Sequence, residues 1–248
     1  MNVYDPHHVL AAISNNAVGV VLIGGLSIVA MFIFFIEAVR SGNRDRVYPM
    51  ALWMTALWFP HDWSYLFHFS DWFGGDYSHW FMQLFWFAII VTAIAETTYA
   101  FQTIRYARAQ LSAGYTQFGH TLRILGVLGA GVVSWALLKG ALDDHLYLLS
   151  FMGTLLWGAP SGHAMLSRFP DGRGQAQSTW IAYSVMAVCY SIASIAWFGG
   201  GFFHSWQYVG ICLASCLWSF VLIYDMRRAG VPLTAARKPS AAAVPSAS

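Results

Sequence analysis

Seven stretches of the chain are apolar for long enough to cross a bilayer: 17–38, 49–68, 80–103, 121–139, 146–165, 178–199 and 207–225. A helical span needs ~20 such residues, and nothing else in the sequence restricts the fold as much. Backbone N–H and C=O groups find no partner in lipid, so each stretch has to be a helix or part of a closed barrel. A barrel needs short segments of alternating polarity, whereas Val18 to Ile36 is apolar on every face. The expectation is an all-α polytopic membrane protein, a bundle of seven transmembrane helices occupying residues 1–236. Residues 237–248, rich in Pro, Ser and Ala, carry too little apolar surface to fold and are expected to be a disordered cytoplasmic tail.

Composition agrees. Only 10% of the 248 residues are charged and 58% are hydrophobic, against roughly a quarter charged in a soluble domain. A formal charge of +2 is too small to hold a nucleic-acid backbone. Cys189, Cys212 and Cys216 lie in apolar stretches without CxxC spacing, so neither a disulfide framework nor a zinc site is indicated. The first fifteen residues lack the basic start and small-residue cleavage site of a removable signal.

Basic residues set the orientation, because cytoplasmic loops retain Lys and Arg. Arg40, Arg44, Arg46, Arg105, Arg108, Arg123, Arg168, Arg173, Arg227, Arg228, Arg237 and Lys238 fall on one side of a seven-span arrangement, and only Lys139 on the other. The N-terminus is therefore expected outside and the C-terminus in the cytoplasm, in a bacterial inner membrane or a eukaryotic endomembrane.

The eleven acids can then be placed one by one. Asp5, Asp45, Asp71, Asp76, Asp143, Asp144 and Asp171 fall in loops and are expected to be solvated. Glu37 stands one turn from Arg40 as an interfacial ion pair. Asp62, Glu96 and Asp225 remain at membrane depth, where an ionisable group costs a few kcal/mol and usually faces a cavity. Aromatic residues crowd the acid-bearing segments, notably Trp58, Trp63, Tyr65, Trp86 and Tyr99. Such residues most often simply pack; beside a buried acid they also provide the π faces that a carbocation needs. Tyr65, one turn from Asp62, is a hydrogen-bond candidate, whereas His61, its immediate neighbour, is not expected to touch it. Nine histidines, including His7, His8, His61, His68 and His79, show no HxxxH or HExxH spacing, so no metal site is expected.

Two patches carry a family resemblance. Arg46, Val47, Tyr48, Pro49 and Met50 lead into His61, Asp62, Trp63, Ser64 and Tyr65; farther on stand Leu166, Ser167, Arg168, then Arg173, Gly174, Gln175, then Ser178, Thr179, Trp180. In these places the chain resembles the small seven-helix integral-membrane terpene cyclases of meroterpenoid and indole-terpenoid pathways. Glu96, Thr97 and Thr98, followed by Thr103 to Tyr106, stand in the order of the family's third span. The departures are Asp62 for the family's Glu, His61 for the preceding Trp, and Leu57 and Trp58 where an Asn is expected.

The resemblance implies cyclisation started by protonation of a prenylated, optionally epoxidised, aromatic or indole substrate, without a cofactor. No aspartate cluster of the kind that holds magnesium and diphosphate is present in the sequence. Asp62 would be the proton donor, with Glu96 and Asp225 as further catalytic acids. Trp58, His61, Trp63, Tyr65, Tyr99, Arg168 and Trp180 would meet the substrate. Two other readings use the same residues: a seven-helix transporter with the acids as a proton relay, and a copper-dependent membrane oxygenase subunit using the histidines. A purely structural subunit would leave Asp62 without a role.

Overall fold

The computed structural model describes residues 3–235, so the tail expected over 237–248 lies outside the described residues. Helices dominate, and the described residues contain no strand. Those of ten residues or more are α1 (Pro6–Asn15), α2 (Ala17–Asp45), α3 (Leu52–Phe67), α4 (Trp80–Tyr106), α5 (Gln117–Leu142), α6 (Leu148–Arg168), α7 (Gln177–Trp197) and α8 (Trp206–Arg228). Five of them, α2, α4, α5, α7 and α8, are long and apolar enough to cross a membrane. The sixteen residues of α3 rise only ~24 Å at 1.5 Å each.

The helices exceed the apolar stretches where polar ends continue the backbone ladder. α2 runs on past residue 38 to Asp45 and stops at Arg46, which takes a left-handed conformation at φ 54°. A short helix not expected from the sequence, α1, precedes the bundle. Asp5 caps it by accepting from His7 N at 2.9 Å, and Pro6 sits at its first position, where the missing N–H costs nothing. Between Val20 and Gly24 the first turns of α2 widen into a π-helical segment.

The seven long helices run alternately between two ends. At one end the segments after α2, α6 and α8 meet. Arg44 pairs with Asp45 and donates to Gln175 O and Ala235 O, each at 3.1 Å. Asp45 also accepts from Gly174 N at 2.7 Å, so its side chain, 7% exposed, is largely covered in this junction and not solvated as expected. Leu111 packs there against the apolar cluster that includes Val47 and Phe169. At the opposite end Tyr4 donates to Asp144, Ser14 meets His79 at 2.7 Å and His8 meets Gly199 O at 3.1 Å. Asp144 is thus a second correction. It is 1% exposed, accepts from Tyr4 and from Ser150 N, and leaves its backbone carbonyl to Lys139. A loop acid becomes buried here because α1 folds back over the helix ends and brings the Tyr4 hydroxyl to it.

Around the core, α2 packs on α7 and α4, α3 packs on α4, α5 and α6, and α8 packs on α6 and α7. Small residues bring backbones close, as expected where packing substitutes for a hydrophobic drive. Gly131 of α5 faces the Ala56 carbonyl so closely that a side chain has no room. That carbonyl is the one which Pro60, four residues later and lacking an N–H, cannot engage.

A candidate active site between five helices

Trp58, Pro60, His61, Asp62 and Tyr65 of α3 are all buried, and α4 buries Ile89, Thr92, Glu96 and Tyr99. Where these faces meet α2, α6 and α7, a small cavity opens. Asp62, Glu96, Thr92 and Thr154 are its polar lining, and Met31, Phe35, Trp58 and Phe151 belong to its apolar walls. Its free space admits about one water molecule. Asp62 and Glu96 are 5% and 1% exposed, and no Lys or Arg lines the space with them.

Asp62 is held at both oxygens. His61 Nδ1 lies 2.7 Å from Oδ1, and Thr92 Oγ1 is hydrogen-bonded to Oδ2. The His61 contact corrects the expectation that neighbours on a helix cannot meet. Cβ directions diverge by ~100° along a helix, yet an imidazole nitrogen and a carboxylate oxygen can swing together when both side chains turn into one crevice. The His61 ring is fixed edge-on to Trp135 at 4.9 Å and to Tyr147 at 5.8 Å, while Nε2 has no hydrogen-bond partner.

Thr92 carries one hydroxyl hydrogen but faces two acceptors, Asp62 Oδ2 and Ile89 O, the latter at 3.0 Å. With Asp62 protonated, Thr92 can accept from the acid and donate to Ile89. With Asp62 ionised, the same hydrogen can turn to Oδ2. Glu96 is bound less tightly, and its Oε2 is buried without a partner.

The other expected site residues divide. Trp58 lines the cavity and is anchored through Nε1 to Thr154 O at 3.2 Å. Tyr99 lies one turn from Glu96, with its hydroxyl on Phe35 O at 3.3 Å. Tyr65 does not reach Asp62; it donates to Met82 O at 2.9 Å and stacks on Trp72. Trp63 points away with its indole on Thr97 Oγ1 at 3.3 Å, because position 63 lies ~100° round the helix from position 62. Trp180 is buried on the Gln175 side chain at 2.8 Å. Arg168 is at the far end of α6, holding Tyr48 Oη at 2.6 Å. Asp225 is absent from the cavity and pairs at 3.1 Å with His163, whose Nδ1 accepts from Trp218 at 3.0 Å.

Thr92 was not singled out from the sequence, although its place four residues before Glu96 puts it on the same helix face. Met31, Phe151 and Met186 carry no such signal. Among the described residues no group of three or more His, Cys, Asp or Glu is placed to hold a metal ion. No protein-family model, curated protein or solved structure matches the chain.

Proposed function

We propose that the chain is a seven-span membrane enzyme, with its N-terminus outside and C-terminus in the cytoplasm, that cyclises a prenylated aromatic or indole substrate by protonation. The observation that carries this reading is Asp62, buried in an aromatic-walled cavity beside a second carboxyl, with a hydrogen-bonding partner on each oxygen. The twelve-to-one partition of basic residues and the alternation of the seven long helices between two ends support the topology.

In this reading Asp62 gives its proton to a terminal olefin carbon or epoxide oxygen of the prenyl chain. Neighbouring double bonds attack the developing cation in turn, each ring closing as a π bond is consumed. Trp58, Phe35 and Phe151 present ring faces that stabilise positive charge without trapping it. The Thr92 hydrogen and His61 Nδ1–H then stabilise the carboxylate left behind. A final proton leaves the carbocation for a carboxylate of the Asp62–Glu96 pair, so the product is an isomer of the substrate. Two carboxyls facing one small apolar space repel each other when both are charged.

The transporter reading needs paired broken helices, whereas α3 and α6 continue through Pro60 and Pro160. The cyclase reading is tested by incubating membranes containing the protein with prenylated phenols and indoles, epoxidised and not. It requires a cyclic product of unchanged mass that depends on Asp62.

A further inference from the structure

The inner cavity has a neighbour. A second, small and almost wholly apolar cavity lies toward the α1 end of the bundle, between the first turns of α2 and α4 and the last turns of α7. Met31 and Phe151 belong to the walls of both cavities. The outer mouth lies on the bundle surface, where Val21 and Leu84 are 50% and 45% exposed. That part of α2 belongs to a segment with a mean hydropathy of 2.7, so in a bilayer the mouth faces acyl chains and not water.

The backbone at the mouth is unusual. The π-helical segment Val20–Gly24 ends on Gly24 and Gly25. An added Cβ at Gly25 would meet nothing within 4 Å, and at Gly24 only Val20 Cγ1, at 3.9 Å. These glycines therefore do not admit a neighbouring helix; they leave space beside the opening. At the inner end Glu96 Oε2 is buried without a partner and its residue lines the cavity. Such an unmet acceptor calls for a ligand or a proton. The wall between the two spaces includes Met31, an unbranched side chain that changes shape cheaply.

We propose that this opening is a lateral portal, through which the hydrocarbon chain of a lipid-dissolved molecule passes from the bilayer between α2 and α4, past Met31, to Asp62 and Glu96. That the chain is a prenyl group rests on the cyclase reading; the route itself does not.

An apolar carbodiimide tests the route in the full-length protein in lipid nanodiscs. A protonated carboxyl adds across the C=N bond, and the acyl group then migrates from oxygen to nitrogen, leaving a stable N-acylurea with no atom lost. Peptide mass spectrometry should find the adduct on Asp62 or Glu96 with dicyclohexylcarbodiimide and not with a charged, water-soluble carbodiimide. G25W and L84W, which obstruct the mouth from opposite lips, should each lose most of that labelling. V29W, at a lipid-facing position of α2 that does not line the cavity, should retain it. The portal is overturned if neither acid is labelled, if the water-soluble reagent labels equally, or if V29W loses as much labelling as the two portal variants. Portal-dependent labelling without any isomerisation of prenylated aromatics would support the route and sink the cyclase reading. Isomerisation with labelling indifferent to both portal variants would do the reverse.

Discussion

His61 Nδ1 lies 2.7 Å from Asp62 Oδ1, between two consecutive residues of one helix. The contact matters because Thr92 engages the other oxygen. Together they fix the carboxyl plane against the cavity wall, and in the proposed reaction they would meet the charge left when the proton departs. A buried acid without them would face the full cost of an uncompensated anion.

Replacing His61 by Phe keeps the ring packed against Trp135 and Tyr147 but removes the donor to Oδ1. A hydrogen bond to a charged group contributes ~1.5–3 kcal/mol, so turnover should fall about 10- to 100-fold with little change in KM. Steady-state kinetics on a prenylated substrate, together with the shape of the pH–rate profile, would separate this positioning role from a packing defect, which would lower protein yield and leave kcat unchanged.

Thr92→Val is nearly isosteric and deletes the hydrogen that can turn to Oδ2. Its expected effect is of the same size, about 10- to 100-fold on kcat, and Thr92→Ser should restore most of the activity. If Ser fails to rescue, the hydroxyl is not what Thr92 contributes.

Arg168 sits at the C-terminal end of α6 on the Tyr48 hydroxyl, away from the cavity. Burial pushes the Tyr48 phenol upward and the guanidinium draws it back, so the Arg168 cation donates to a neutral phenol oxygen through the physiological range. Arg168→Gln should lower thermal stability by about 1–2 kcal/mol without altering KM. A rise in KM with unchanged melting would return Arg168 to a substrate-binding role.

Asp144 joins Tyr4 to the start of α6. Asp144→Ala leaves a buried hydroxyl and the Ser150 N–H without an acceptor, a loss of about 3 kcal/mol or more. Detergent-solubilised protein should melt several degrees lower, and α1 should become accessible to protease. An unchanged melting temperature would mean that α1 does not brace the bundle.

The all-helical architecture, with five helices long and apolar enough to cross a membrane, was legible because long apolar stretches leave the backbone little freedom. The approach of Asp62 to Glu96 could be anticipated because so few acids stand at membrane depth. Other features were not legible, for identifiable reasons. Met31, Phe151 and Met186 come from helices that are apolar around most of their circumference, so periodicity cannot say which face meets which neighbour. Asp144 and Asp45 look solvated because what covers their side chains comes from segments that are distant in sequence. Asp225 was grouped with the cavity acids by its place near the chain's end, while its helix face turns it toward His163.

Topology can be checked by single cysteines at Ser14 and Ser240 in a background lacking Cys189, Cys212 and Cys216. A membrane-impermeant maleimide applied to intact cells should reach the first and not the second. Labelling of both from one side would mean an even number of spans.

The central claim, that Asp62 delivers the initiating proton, is tested most directly by the rate of isomer formation in Asp62→Asn and Asp62→Glu. The amide preserves shape and is cheaper to bury than a charge, so Asp62→Asn should accumulate in the membrane at the normal level while losing at least ~10²-fold in rate. Asp62→Glu, which keeps a transferable proton, should retain measurable turnover. Full activity in Asp62→Asn would contradict the account and move the acid to Glu96.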